Sequence, residues 1–215
     1  MPLPIIARPR VRAPRRRGLL VAAAVAAALL IPLAAAVAAP AARAASLPVV
    51  WSDAYGTGAR DGFTAVATGP DGAVYAAGFK GARVSGHNGK LLLAKYVDSG
   101  STMTRAWVRM YTRAGITGAS ASKVAVDPAG DVIVVGTLGV PSLTGKGSDI
   151  VVLKYSPAGD LKWKTTYDGP AHRDDYVKGL ALDAHGNAVV VGASVGIHTG
   201  RDYVTLKVPA GGSRA

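Results

Sequence analysis

The chain has 215 residues, a formal charge of +12 and a sequence pI near 10.2, and it contains no cysteine. The absence of cysteine excludes disulfides, thiolate metal sites and a lipid-modified N-terminal cysteine. All 13 acidic residues are aspartates, which together with 27 glycines favour turns over helix interiors and point away from a helical protein.

The basic excess is concentrated at the N-terminus. Arg8, Arg10, Arg12, Arg15, Arg16 and Arg17 precede an uncharged stretch from Gly18 to Ala42, and Ala42-Arg43-Ala44 follows. A positive segment, an apolar segment and an A-x-A site are the pattern of a secretory signal peptide. Residues 1–44 are therefore expected to be removed after Ala44, with Ala38 as a second site, leaving 45–215 as a secreted repeat domain. Arg16-Arg17-Gly18-Leu19-Leu20 resembles a twin-arginine export signal but lacks the flanking Ser/Thr and the later Lys, so the export route stays open.

An uncleaved membrane anchor is the alternative, because such a stretch can cross a hydrocarbon layer of about 30 Å. Its alanine content and Pro32 argue against insertion. Removing residues 1–44 takes away seven arginines and lowers the formal charge from +12 to +5. The remaining basic residues are scattered, without the basic and aromatic clustering that nucleic-acid binding needs, so nucleic acid is not an expected partner.

Beyond the leader, Trp51, Trp107 and Trp163 stand at one constant interval of 56 residues, each followed four positions later by Tyr55, Tyr111 or Tyr167. A period of this length marks a structural repeat, with units at about 51–106, 107–162 and 163–215. In the first, short strands are expected at Trp51–Tyr55, Thr64–Thr68, Ala73–Gly78 and Leu91–Tyr96. The second repeats them at Trp107–Tyr111, Lys123–Asp127, Asp131–Gly136 and Asp149–Tyr155. The third has Leu161–Tyr167, Lys178–Asp183, Asn187–Gly192 and Asp202–Val208.

Pro70-Asp71-Gly72, Pro128-Ala129-Gly130 and Ala184-His185-Gly186 read as the turns between the second and third strands of each unit. Short runs with turn signals and no helical period argue an all-β protein. Four antiparallel strands per repeat make it a β-propeller-like array of about three blades.

Several marks recur in order: W-x3-Y, an apolar strand ending D-x2-G, an apolar strand ending in Gly78, Gly136 or Gly192, and a D-initiated strand closing on Lys-Tyr. Together they resemble the SBBP β-propeller repeats of exported bacterial proteins, over about Pro48 to Gly212; the delta-60 repeat is the second choice because it lacks the tryptophan. The resemblance implies a propeller fold and an extracellular setting, and no defined activity. Gly69 departs from the pattern where the other units have Asp127 and Asp183. So do Ala119, against Asp61 and Asp175, and Val208, against Tyr96 and Tyr155.

Lys207–Gly212 parallels Lys154–Asp160, which brings Ala215 to the place of a further tryptophan. Val49–Tyr55 is expected either to close the ring against the last blade or to leave an open array. An open array exposes strand edges that invite partners, such as two chains completing a six-bladed ring. A truncated reading frame is the competing explanation.

No residue of the sequence is expected to be catalytic or to bind a cofactor or metal. His87, His172, His185 and His198 show no metal-ligand spacing, although His87 and His198 share one loop position. Asp174-Asp175 precedes a strand as Asp61 does, which suggests turn capping. Lys95, Lys154 and Lys207 recur at matching positions, as weak candidates for an anion-binding ring or as edge lysines that discourage aggregation.

Trp51, Trp107 and Trp163, with Tyr55, Tyr96, Tyr111, Tyr155 and Tyr167, are expected to be blade core, each burial stabilising by roughly 1.5–3 kcal/mol. The functional expectation is an exported, non-catalytic binding or scaffold module, without a cofactor, taking a protein or polysaccharide ligand. A fragment of a secreted propeller enzyme, quinoprotein-like or carboxylate-dependent, is the alternative.

Overall fold

The computed structural model describes residues 51–54, 56, 58–82, 89–100, 102–139 and 147–212, all within the unit Pro48–Ala215. The leader with Ala44, and also Tyr55, His87 and residues 213–215, lie outside the described residues. No helix among the described residues is long and apolar enough to cross a membrane.

The described residues form strands and turns without helix. The first sheet is β1 (Arg60–Thr68), β2 (Val74–Ala82), β3 (Lys90–Asp98) and β4 (Met103–Tyr111). The second is β5 (Gly118–Val126), β6 (Val132–Gly139), β7 (Ser148–Tyr155) and β8 (Leu161–Tyr167). The third is β9 (Asp175–Leu182), β10 (Ala188–Val195) and β11 (Arg201–Val208). Every pairing is antiparallel between chain neighbours. The result is an all-β, propeller-like array of three blades.

The blades are offset by one strand from the repeat counted tryptophan to tryptophan. Trp107 and Trp163 sit on the fourth strands of the first and second sheets, paired opposite Lys95 and Lys154. A short hairpin through Gly100, which has φ of 85°, returns β4 onto β3. That local antiparallel partner wins over the strand that follows. Trp51–Ala54, the described part of the strand expected at Trp51–Tyr55, is not a strand.

The strands also run longer than the turn signals suggest. β2, β6 and β10 continue past Gly78, Gly136 and Gly192 instead of ending on them. Each of these glycines faces a bulge in the first strand of its sheet, at Thr64, Ser122 or Lys178. There the bulged backbone swings inward, and a Cβ on the glycine would overlap the carbonyl oxygen of Gly62, Ser120 or Tyr176.

Alternation along the strands builds a core on each face of the middle sheet. Val132, Val134, Val151 and Leu153 face the first sheet and pack with Tyr75, Ala77, Leu91 and Leu93. Ile133, Val135, Ile150 and Val152 face the third sheet and pack with Ala188, Val190 and Val208. The middle sheet is thus buried on both faces, which is why β6 and β7 read as unbroken apolar runs. On the far side of the first sheet, Trp51 packs with Ala76, Ala94 and Tyr96.

Candidate functional site

The turns that join the first and second strands of each sheet carry the repeated charges. Asp127 opens one such turn, accepting the backbone N–H groups of Ala129 and Asp131 through Oδ1, and Gly130, with φ of 84°, completes it. Its Oδ2 accepts a hydrogen bond from the Lys154 Nζ at 2.9 Å, and Asp131 Oδ2 lies 3.2 Å from the same nitrogen. Asp183 accepts from the N–H groups of His185 and Asn187 and pairs with Lys207 at 2.8 Å.

In the first blade Gly69 cannot take that role, and Asp71, two residues on, substitutes for it. Its carboxylate accepts the Ala73 N–H and pairs with Lys95 at 3.2 Å. Each of the three lysines named as anion candidates therefore has a carboxylate partner in its own blade. Lys95 and Lys154 lie on interior strands; only Lys207 is on an edge strand.

Two of these lysines also reach into the next blade. Pro157 O accepts from Trp107 Nε1 at 3.2 Å and from Lys95 Nζ at 3.4 Å. Ala210 O accepts from Trp163 Nε1 at 3.0 Å and from Lys154 Nζ at 3.4 Å. The indole and ammonium of one sheet thus share one turn carbonyl of the following sheet, twice. At the first junction Arg109 adds bonds to Gly159 O and Ala158 O and stacks over the Trp107 ring.

Burial opposes the charge on Lys154, but Asp127 and Asp131 outweigh it and its pKa rises. Asp131 is likewise penalised by burial and held below the usual carboxylate range by Lys162 and Lys154.

The third blade leaves this arrangement open. Its last strand, β11, pairs only with β10 among the described residues, so Lys207 has no tryptophan strand opposite it. A cleft of about 340 Å³ runs beside β11, lined by residues including Val152, Thr166, Tyr167, Thr205 and Pro209. Tyr203 occupies the position of Leu91 and Ile150, both fully buried, yet is 94% exposed; Val191 nearby is 42% exposed.

At the other end, Trp51 stacks edge-on against Tyr96 at 5.1 Å, outside any strand. Of the histidines, His172 pairs with Asp168 at 2.8 Å and His198 adopts φ of 62° in the β10–β11 loop. The lysine–aspartate pairs escape a reading by spacing, because the partner shifts from the Asp127 position to Asp71 in the first blade. For the last blade the sequence left closure by Val49–Tyr55 and an open array as alternatives, and among the described residues β11 pairs only with β10.

Comparison with known proteins adds little. No known protein family matches the sequence, and no curated protein matches it. Among solved structures, a protein from Lactobacillus plantarum is similar at 15% identity and a TM-score of 0.40, over 67% of this chain. The chain spans 41% of the length of that protein.

Proposed function

We propose that this chain is an exported, non-catalytic binding and scaffold module, and that its first partner is a second copy of itself. The observation that supports this is the edge of β11, unpaired among the described residues, beside its cleft and at the register where β3 and β7 each receive a tryptophan strand. An exposed strand edge is a template for strand addition. The segment around Trp51 is the fitting occupant. It carries the repeated tryptophan, Trp51–Ala54 belong to no strand, and the Trp51 indole already rests against Tyr96.

Seated on β11 of a neighbouring copy, Trp51 would stand opposite Lys207 while keeping its contact with its own first sheet. Two copies would bring six blades together, within the four to eight usual for closed propellers. Export rests on the basic and apolar leader ending at Ala44, and a surface or extracellular ligand, protein or polysaccharide, follows from that setting.

Sedimentation velocity of the purified protein tests the reading. A two-copy species should form at micromolar concentration and fall to a monomer in Trp51→Ala and in Tyr203→Asp. A wild-type protein that stays monomeric at high concentration overturns it.

A further inference from the structure

Asp168 and Asp175 flank the loop from β8 to β9, and the junction of the second and third sheets brings Asp149 of β7 to them. Asp149 is the second residue of β7, Asp168 follows β8 and Asp175 opens β9. One carboxylate oxygen of each lies within 4.8 Å of the others. Asp149 and Asp175 are buried and Asp168 is exposed.

A second observation points the same way. Asp175 is fully buried; its Oδ2 accepts the Gly169 N–H at 2.8 Å, but its Oδ1 has no hydrogen-bond partner. Ser194, paired with Asp175 across the sheet and only 6% exposed, has an Oγ that is also without a partner. Both orphaned oxygens face the bare Cα of Gly169, next to Asp168. A Cβ there would overlap Ser194 Oγ and lie 2.8 Å from Asp175 Oδ1. Buried oxygens left unsatisfied are costly, so they call for a ligand.

The charges around the cluster do not cancel. Arg113 reaches Asp149 at 3.2 Å and His172 reaches Asp168 at 2.8 Å. Burial first, and then the Asp168 charge, push the Asp149 carboxyl above its ordinary range despite Arg113. Three carboxylates with one guanidinium and one exposed imidazole leave a buried negative excess.

We propose that Asp149, Asp168, Asp175 and Ser194 Oγ form a site for a divalent cation of the calcium class, joining the second sheet to the third. The donors are all hard oxygens, which suit calcium or magnesium rather than zinc. Three carboxylates and a hydroxyl suit calcium, which takes a flexible all-oxygen shell, better than magnesium, which binds through one or two carboxylates and keeps several waters.

The test is calorimetric titration of the purified protein with calcium chloride after chelator treatment, together with thermal melting. One saturable calcium event and a rise in Tm are expected, with magnesium at least tenfold weaker. Asp175→Asn is buried and its failure to fold would be uninformative, so Asp168→Asn, on an exposed side chain, decides. It should weaken calcium binding at least tenfold, Ser194→Ala should weaken it measurably, and Asp98→Asn in the distant β3–β4 turn should leave it unchanged.

The proposal is overturned by the absence of saturable calcium binding, by Asp168→Asn binding as tightly as wild type, or by magnesium binding equal to calcium. It does not depend on self-association, because all four residues lie in one chain.

Discussion

Single residues here act through close approach and through paired charge. Gly136 lies against the Ser120 carbonyl beside the bulge at Ser122, so Gly136→Ala forces β5 and β6 apart. A loss of about 1–3 kcal/mol is expected from such overpacking, read as a fall in the urea midpoint. Lys154→Ala removes the one cation shared by buried Asp127 and Asp131 and should cost about 3 kcal/mol, because Asp127 is left without its counter-charge. Tyr155 makes a sign-specific prediction. Burial first, and then Tyr111, raise its pKa to about 12 against an ordinary 10.0. The folded state therefore favours the neutral phenol. The stability this represents is fully present below pH 10 and is lost as the pH rises toward 12. Tyr155→Phe should match wild type at neutral pH and melt higher than wild type between pH 10 and 12 in circular dichroism. Parallel melting curves across that range would refute this.

Among the elements, the fourth strand shows what could be read in advance and what could not. Alternation and Gly/Pro/Asp turns made the strands and the all-β class legible, and β8 falls on Leu161–Tyr167 as its pattern predicts. Which strand belongs to which sheet was not legible. Periodicity fixes the length of a repeat but not its phase, and the phase is set by the hairpin at Gly100 and its counterpart at Gly159. The glycines at 78, 136 and 192 read as strand ends because the bulges they face are non-local. The aspartate cluster was invisible for the same reason: its members are not at metal-ligand spacing and meet only across sheets. The role of the fourth strand is testable. Trp107 on β4 packs with the first core and donates to Pro157 O, so Trp107→Ala removes both packing and an inter-blade bond. A loss of about 3 kcal/mol is expected by chemical denaturation. Trp51→Ala, on a segment outside any sheet, should cost less than half as much.

In the described array as a whole, stability is graded from the middle outward. The second sheet contributes to both cores, whereas the third is covered on one face and ends at the unpaired β11. In stacked repeats each unit is held mainly by its neighbours, so opening should begin at an end and reach the middle last. Amide hydrogen exchange followed by mass spectrometry should find β6 and β7 slowest, exchanging only through global unfolding. β11 should exchange fastest of the third-sheet strands. Concentration then separates fraying from association. If a second copy adds a strand to β11, raising the protein concentration supplies hydrogen-bond partners to that edge and slows its exchange, while β6 and β7, already limited by global opening, change much less. Trp51→Ala should abolish the concentration dependence at β11 and leave the ranking of the other strands intact. Exchange at β11 that is independent of concentration would show that its edge stays open to solvent. Exchange at β6 as fast as at β11 would show that the middle sheet does not hold the array together.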